Sequence, residues 1–570
     1  MTGDPLATMG HVQEDFNYDE KVQAMGFIGE HSEMSWLYKL KHDLDQDSAA
    51  VFNKILERPP ISYLNYFQDD VRIPGLNYVS LLWRPPQHIA DKLVDDYFQA
   101  VHPSFPIIGK DIFLSQYRSY YVYSNAQPGK RWIAMLNLVF AIAAGHSLLF
   151  DRHPEIGGYG EHGDYFARAW RLGISDAALL DHPNLQQVQV EGLTAFYLLS
   201  KGQVNRSWRV IGVSIRSALA MGLSLRNETD NISPVSKETR YRVWWALSML
   251  DTVLCVMTGR PPSIGEIYCT TPLPIPYRDE DLRTDLVTQL IINQSERSCL
   301  LASLLSSTDP DLGSGGTSIM HRTLPARTGT DKTKESERAA QPVTKNVAPN
   351  TSLYFLYAID LDFLMRDTVE ALYAPGAIRR SWLEMEVTIS NFDRITNHWL
   401  SRLPVEFSFA NLDGDQSFVR QRASLGFRFY ATKILISQPC LRRLAYHPPN
   451  MGPEGATCDT MAAMCVQTAH QMLDLFPEEV DTSWLFRISP WWCILHYLMH
   501  PTTILLIELF TRTRPGTSKA QGIIDRVQKA VRWLCEMSTK DPSSQGAWMI
   551  CRDILCKHGS KFAIDFEVKL

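Results

Sequence analysis

From about His88 onward, apolar residues recur every three or four positions, and no stretch alternates strictly for long enough to make a sheet. In the first such stretch Ile89, Leu93, Tyr97 and Ala100 share one helix face, and Pro103 ends it. Further helix-periodic stretches lie near 110–120, 130–150, 162–174, 186–201, 206–225, 237–258, 283–304, 352–371, 380–401, 416–439, 458–475, 490–512, 518–537 and 543–556. Ser35 to Leu40 can start a short helix within an otherwise turn-rich beginning punctuated by Pro59-Pro60 and Pro74-Gly75. The expected fold class is all-α: a large multi-helix body of packed antiparallel helices, interrupted by one disordered loop.

That loop is 306–352. It is rich in Ser, Thr, Gly, Pro and Lys and nearly free of large apolar residues, so it cannot bury enough surface to offset its ordering entropy. The expected organisation is a mixed N-terminal extension over 1–80, a helical region over 81–305, the loop, and a C-terminal helical region over 353–570 that packs on the first.

Composition narrows the function classes. The chain has 570 residues, 45% of them hydrophobic and 21% charged, which excludes wholesale disorder. The net charge of −6 argues against a nucleic-acid-binding surface spread over the whole body, and predicts that residues 1–570 alone do not bind duplex DNA tightly. None of the ten cysteines forms a C-x-x-C pair, so no zinc or redox pair is expected, and the thiols read as reduced in an intracellular compartment. The first residues lack the basic and apolar regions of a signal peptide. Two apolar stretches approach membrane-span length. One, from Ile133 to Phe150, contains Asn137 and His146, and the other, from Pro490 to Phe510, contains His496, His500 and Pro501. Both read as buried core helices, the two later histidines as satisfied core residues, and no membrane partner is expected.

Motifs that would signal catalysis fail on context. Gly158, Gly160 and Gly163 spell G-x-G-x-x-G, but a polar, proline-broken run precedes them where a strand is needed. His153, Glu155, Glu161, His162 and Asp164 lack the spacing of metal ligands on one helix face. Asp69-Asp70 and Asp95-Asp96 each lack the third carboxylate of a D-D-x-x-D/E magnesium motif. No catalytic, metal-binding or DNA-binding residue is assigned, and the chain is expected not to be an enzyme.

The informative constellation lies between 94 and 278. It runs from Val94 to Ile108, through Ala143 to Ser147 and Tyr165 to Ala169, to Ser207–Arg226, Arg240–Asp251 and Thr258–Ile264. In this order the motifs resemble the middle homology region of fungal-specific transcription factors, the large helical domain that accompanies a binuclear zinc-cluster DNA-binding module. Phe27 to Trp36 is similar to the segment that precedes this region. The family motif maps onto Trp208, Arg209, Gly212, Arg216, Gly222, Trp244, Trp245, Asp251, Gly259, Arg260 and Pro261. The resemblance implies a nuclear transcription regulator, a role in a metabolic or secondary-metabolite gene cluster, protein partners in the transcription machinery and an effector of small-molecule type. The zinc cluster is missing here, since the first cysteine is Cys255, so no cofactor is expected in this chain, and zinc only with a separate N-terminal cluster. DNA is then reached indirectly or through a missing N-terminal module. Three readings stay open: a reading frame truncated at its start, a regulator without the module, and a partner that supplies DNA contact. The alternatives to a regulator are a non-DNA-binding helical interaction scaffold and an α-helical enzyme.

Read from the residues, these motifs are architectural. Trp208, Ile211, Ile215, Leu219 and Gly222 fall at helix steps on one face, and Val243, Leu247, Leu250, Leu254 and Met257 do the same. Packed tryptophans here contribute roughly 3–5 kcal/mol each by truncation cost. Gly259 suits the left-handed position that ends a helix, and Arg260, preceding Pro261, is pushed extended. Arg260 is expected to cap or to ion-pair, with a ligand or partner contact as the alternative. Asp251, on a largely apolar helix, is expected to be buried and paired with Arg216, ahead of Arg209 and Arg260, because antiparallel neighbours place it level with residue 212.

Overall fold

The computed structural model describes residues 19–50, 64–73, 79–81, 83–123, 128–149, 161–174, 181–265, 269–305, 347–410, 412, 416–446 and 456–562. Among the described residues there are nineteen α-helices, a few 3-10 turns and no strand. The expected loop at 306–352 lies outside the described residues up to 346. The same holds for Pro59-Pro60, Pro74-Gly75, His153, Glu155, Gly158 and Gly160.

The helices of the first part are α1 Glu20–Met25, α2 Glu33–Ala50, α3 Gln87–Ala100, α4 Lys110–Val122, α5 Lys130–Ser147, α6 His162–Gly173, α7 Leu185–Ser200, α8 Val204–Ala220, α9 Pro234–Thr258, α10 Asp285–Ile292 and α11 Gln294–Leu305. Those of the second are α12 Thr351–Leu372, α13 Trp382–Arg402, α14 Val419–Tyr446, α15 Ala456–Asp474, α16 Thr482–Ile488, α17 Ile494–Arg512, α18 Ser518–Met537 and α19 Pro542–His558. Sequential neighbours α5–α6, α7–α8, α8–α9, α14–α15 and α18–α19 pack together, as short connections favour. Helix α9 packs on α12, α12 on α14, and α2 on α17. One continuous buried cluster consequently runs from Met25 to Leu555.

Helix boundaries follow local chemistry. Asn184, Asn350 and Asp541 each accept backbone N–H groups at the start of their helices. Ser381 and Glu384 form a reciprocal capping box at α13. The apolar stretch 283–304 divides into α10 and α11 because Asn293 is extended and its side chain caps the second helix through Ser295 N–H at 3.0 Å. The stretch 490–512 becomes a turn before α17, and α16 and α1 are helices that the periodic pattern does not single out.

The two apolar stretches of near-membrane length are core helices. Helix α17 is long and apolar enough to cross a membrane but is largely buried inside the protein. In α5 the Asn137 amide donates to the Ile133 carbonyl at 2.9 Å, and His146 meets the Phe486 carbonyl at 3.1 Å.

Candidate functional site

Three of the family-motif residues, Trp208, Gly259 and Arg260, meet where α8 and α9 contact the segment between α1 and α2. Helix α9 begins with Ser233 as cap and Pro234 in its first turn, and ends at Gly259, which has φ 69°. Its last carbonyls would be orphaned in the core. The Gly29 N–H donates to the Thr258 carbonyl at 3.0 Å, and the Ser32 hydroxyl donates to Met257 at 2.7 Å. Gly29 and Gly259 cross backbone to backbone: a Cβ on Gly29 would stand 1.7 Å from the Gly259 oxygen. Only glycine permits that approach.

Arg260 answers in the opposite direction. Its guanidinium donates to the carbonyls of Phe27 at 2.8 Å and Met25 at 2.9 Å, and to Asn205 Oδ1 at 2.6 Å. It lies 4.7 Å from the centre of the Trp208 ring. Burial lowers its pKa to about 10, against the opposing pull of Asp69, so it stays charged at neutral pH. The arginine is presented inward and caps carbonyls; no carboxylate pairs with it directly among the described residues.

Asn205 continues the network, with its backbone and side-chain nitrogens donating to Asp69 Oδ2 at 3.0 Å while Arg206 N–H donates to Oδ1 at 2.9 Å. Asp69 thus sits at the positive end of α8. Burial raises its pKa, and the Asn205 and Arg206 hydrogen bonds oppose that. The first of the two acidic pairs is therefore a helix cap on one side and an exposed Asp70 on the other. The second also diverges, with Asp96 buried and Asp95 exposed.

Asp251 is fully buried, but its partner is not an arginine. The Ser263 N–H donates to its Oδ2 at 2.7 Å and the Ser263 hydroxyl to its Oδ1 at 2.8 Å. Burial raises its pKa to about 6 despite these two hydrogen bonds. Arg216 and Arg209 are both exposed on α8. The pairing expected from helix register fails because the chain reverses after Gly259 and lays Ser263 over α9. Two further positions differ from the one-face reading of α8. Gly222 lies beyond the helix with φ 68°, where Leu223 N–H closes the end onto the Ala218 carbonyl at 2.9 Å. Leu219 is 39% exposed.

The remaining motif residues are packing elements. Trp244 and Trp245 are buried, and the Trp245 indole donates to the Pro272 carbonyl at 2.9 Å. Gly212 faces Ser263, whose Oγ would be 4.0 Å from a Cβ there, and Pro261 is exposed.

Buried ion pairs that the sequence reading missed extend from the same helix. Glu238 holds Arg297 at 2.9 Å and Arg242 at 3.2 Å, and Arg242 reaches Asp279 at 2.7 Å. Asp279 also meets His102 at 3.0 Å. Burial would raise the Asp279 pKa, but the His102 hydrogen bond and the Arg242 charge hold it well below the usual carboxylate range. The Glu238–Arg242 spacing of four on a helix was the available signal; the distant partners left none.

The segment between α1 and α2, with the start of α2, also reaches the second half of the chain. Glu33 pairs with His496 at 3.0 Å and accepts from Tyr66 at 2.8 Å, and Glu30 pairs with Arg442. His500 meets Gln438 at 3.2 Å, and burial lowers its pKa to about 3. Of the loop residues weighed as metal ligands, His162 bonds the Tyr197 hydroxyl at 2.8 Å, while Glu161 and Asp164 are exposed or nearly so at the start of α6. Gly163 lies inside α6, not after a strand. No group of three His, Cys, Asp or Glu that could hold a metal converges among the described residues.

Known proteins resemble this chain along its length. The family described as "Fungal specific transcription factor domain" matches residues 94–340. The Aspergillus niger protein named "Transcription regulator galc" is 30% identical over 99% of this chain and 71% of its own length. The Penicillium rubens protein named "Sorbicillinoid biosynthetic cluster transcription factor 2" is 23% identical over 79% of this chain and 58% of its own. The "Terreic acid cluster-specific transcription factor atF" of Aspergillus terreus is 28% identical over 32% of this chain and 28% of its own. No solved structure matches significantly. Similarity that runs from one end of the chain to the other, together with the matched helical region, means that the protein belongs to the fungal-specific transcription factor family.

Proposed function

We propose that this chain is the helical regulatory body of a nuclear transcription regulator that controls a metabolic or secondary-metabolite gene cluster. The observation that carries the reading is the 30% identity to a named transcription regulator across 99% of the chain. Cluster regulators among the relatives support the kind of target. The buried charged motif residues support a regulatory body over an enzyme, because Arg260 is spent on capping carbonyls and Asp251 on holding Ser263. DNA contact is supplied by a zinc-cluster module or a protein partner, and the transcription machinery supplies further partners.

Deleting the gene tests the reading. Transcripts of one contiguous gene cluster should change, and a fluorescent fusion should concentrate in the nucleus. Unchanged transcripts across growth conditions would overturn it. The scaffold reading is favoured by one observation, the net charge of −6. Chromatin immunoprecipitation separates the two, since a scaffold remote from chromatin yields no enriched promoter.

A further inference from the structure

Helices α14 and α15 pack against each other through small side chains. Cys458, Ala462, Cys465 and Ala469 follow one another at helix steps along α15, and none is more than 2% exposed. Ser437 and Cys440 meet them from α14, equally buried. Cys465 hydrogen-bonds Ser437 and Cys458 hydrogen-bonds Cys440, so the contacts run in antiparallel register. The Cys458 thiol also donates to the Cys440 carbonyl at 3.7 Å. Two thiols thus touch across a helix pair although 18 positions separate them, a spacing that no C-x-x-C rule reads.

The two thiols are not equivalent. Cys458 stands in the first turn of α15, at the positive end of that helix, and feels the charge of Arg443 from α14. The hydrogen bond from Cys440, helped by Arg443, brings its pKa below the ordinary thiol value, against burial and the charges of Glu386 and Asp459. The same hydrogen bond, with burial, pushes Cys440 upward. Burial pushes Cys465, Cys493 and Cys551 up to about 12. Cys458 also lies just under the surface: Thr457, Asp459 and Thr460 around it are exposed, and the first turn of a helix frays. Cys440 sits beside a weakened turn of α14. Pro439 has no N–H for the Leu435 carbonyl, which accepts from the Tyr373 hydroxyl at 2.5 Å instead.

We propose that Cys458 and Cys440 form a thiol–disulfide switch operated by hydrogen peroxide. The Cys458 thiolate attacks one peroxide oxygen: an S–O bond forms, the O–O bond breaks, and the departing hydroxide takes a proton to leave as water. Cys440 then attacks the sulfenic sulfur. An S–S bond forms, the S–O bond breaks, and the hydroxide leaves with the Cys440 proton as a second water. Two thiols lose two electrons, and one peroxide is reduced to two waters. A small thiol reverses the change by exchange through a mixed disulfide. Closing the bond brings the sulfurs to roughly 2.05 Å, which draws the last turns of α14 toward α15. Those turns carry Arg442, which pairs with Glu30, and Arg443, which lies 4.3 Å from the centre of the Trp382 ring. Oxidation therefore pulls on the segment between α1 and α2. The inference goes beyond the regulator reading and does not depend on it.

Peptide mapping of the purified full chain tests the switch. The chain is treated with hydrogen peroxide, its free thiols are blocked with N-ethylmaleimide in denaturant, and it is digested without reductant. One linked peptide pair holding Cys440 and Cys458 should appear and be lost with dithiothreitol. Cys465→Ser should leave that link in place. In Cys440→Ser the sulfenic acid at Cys458 should persist, and dimedone should trap it severalfold more than at the exposed Cys299 and Cys556. In the oxidised parent, amide hydrogen exchange at residues 25–32 should rise severalfold and return on reduction. Cys440 and Cys458 that stay reduced at peroxide sufficient to oxidise Cys299, or a link through another cysteine, overturn the switch. Unchanged exchange at 25–32 overturns its coupling to that segment. Mapping of the parent needs no variant, so it decides the matter even where a serine variant fails to fold. It reads no transcript, and its failure leaves the regulator reading standing.

Discussion

Gly29 and Gly259 touch through their backbones, in the one crossing where the segment before α2 meets the end of α9. A Cβ on Gly29 would lie 1.7 Å from the Gly259 oxygen and 2.5 Å from its carbonyl carbon. Both obstacles are backbone, so nothing can swing aside. Gly29→Ala should therefore undock the segment and destabilise the protein by about 3 kcal/mol, at the upper end of overpacking costs. Gly212→Ala is the matched control. It lies inside α8 with its nearest new neighbour at 4.0 Å, and should stabilise by roughly 0.5–1 kcal/mol through helix propensity. Urea denaturation of the two variants checks the opposite signs.

Arg260→Ala removes donors from two carbonyls and from the Asn205 amide oxygen, all buried or nearly so. Those acceptors are left without partners, and the Trp208 ring loses its cation. A loss of about 3–5 kcal/mol is expected. Amide hydrogen exchange should rise at residues 25–32 more than in α14. Equal protection in variant and parent would show that the arginine does not hold the segment.

Asp251 makes stability depend on pH in an unusual direction. Its folded pKa is raised from 3.8 to about 6, so the folded state binds its proton more tightly than the unfolded chain does. Its contribution is fully present below about pH 4 and is lost as pH rises to about 6, on the order of 3 kcal/mol in all. Asp251→Asn keeps the shape and removes the titration. The stability difference between parent and variant should thus move in the variant's favour by that order between pH 4 and pH 7. A difference independent of pH over that interval contradicts the assignment.

Asp279 has the opposite sign. Its pKa is held below the ordinary 3.8 by the His102 hydrogen bond and Arg242, against its own burial. It contributes stability above about pH 4 and loses it progressively at lower pH. Asp279→Asn at pH 7 should cost about 3 kcal/mol, because Arg242 keeps its charge in a buried position with one carboxylate fewer. Thermal melts at pH 7 and pH 3 should show the gap narrowing in acid.

How much of this is legible in the sequence depends on distance along the chain. The helices are legible because each buries a face whose period is local, and so is the stop at Gly259, because a glycine before Arg-Pro has few other uses. The all-α class follows from the same periodicity. The burial of Asp251 is legible from the apolar residues around it. Its partner is not, because Ser263 arrives only through a chain reversal that register counting between α8 and α9 leaves out. Gly222 looks like part of a helix face by spacing, yet its positive φ ends the helix two residues earlier. Asp69 caps a helix that begins 135 residues later, and no spacing rule connects them.

The pairing of Glu33 with His496 also has a consequence for how the protein is made. The two residues are separated by 463 positions, so at about 5–20 residues per second Glu33 leaves the ribosome roughly 20–90 s before its partner exists. During that interval the apolar side of α2, with Met34, Leu37 and Leu40, has no α17 to cover it. One of the earliest-made helices is thereby among the last to be seated, and nascent chains are exposed to chaperones and proteases at their leading end until nearly the whole polypeptide has emerged.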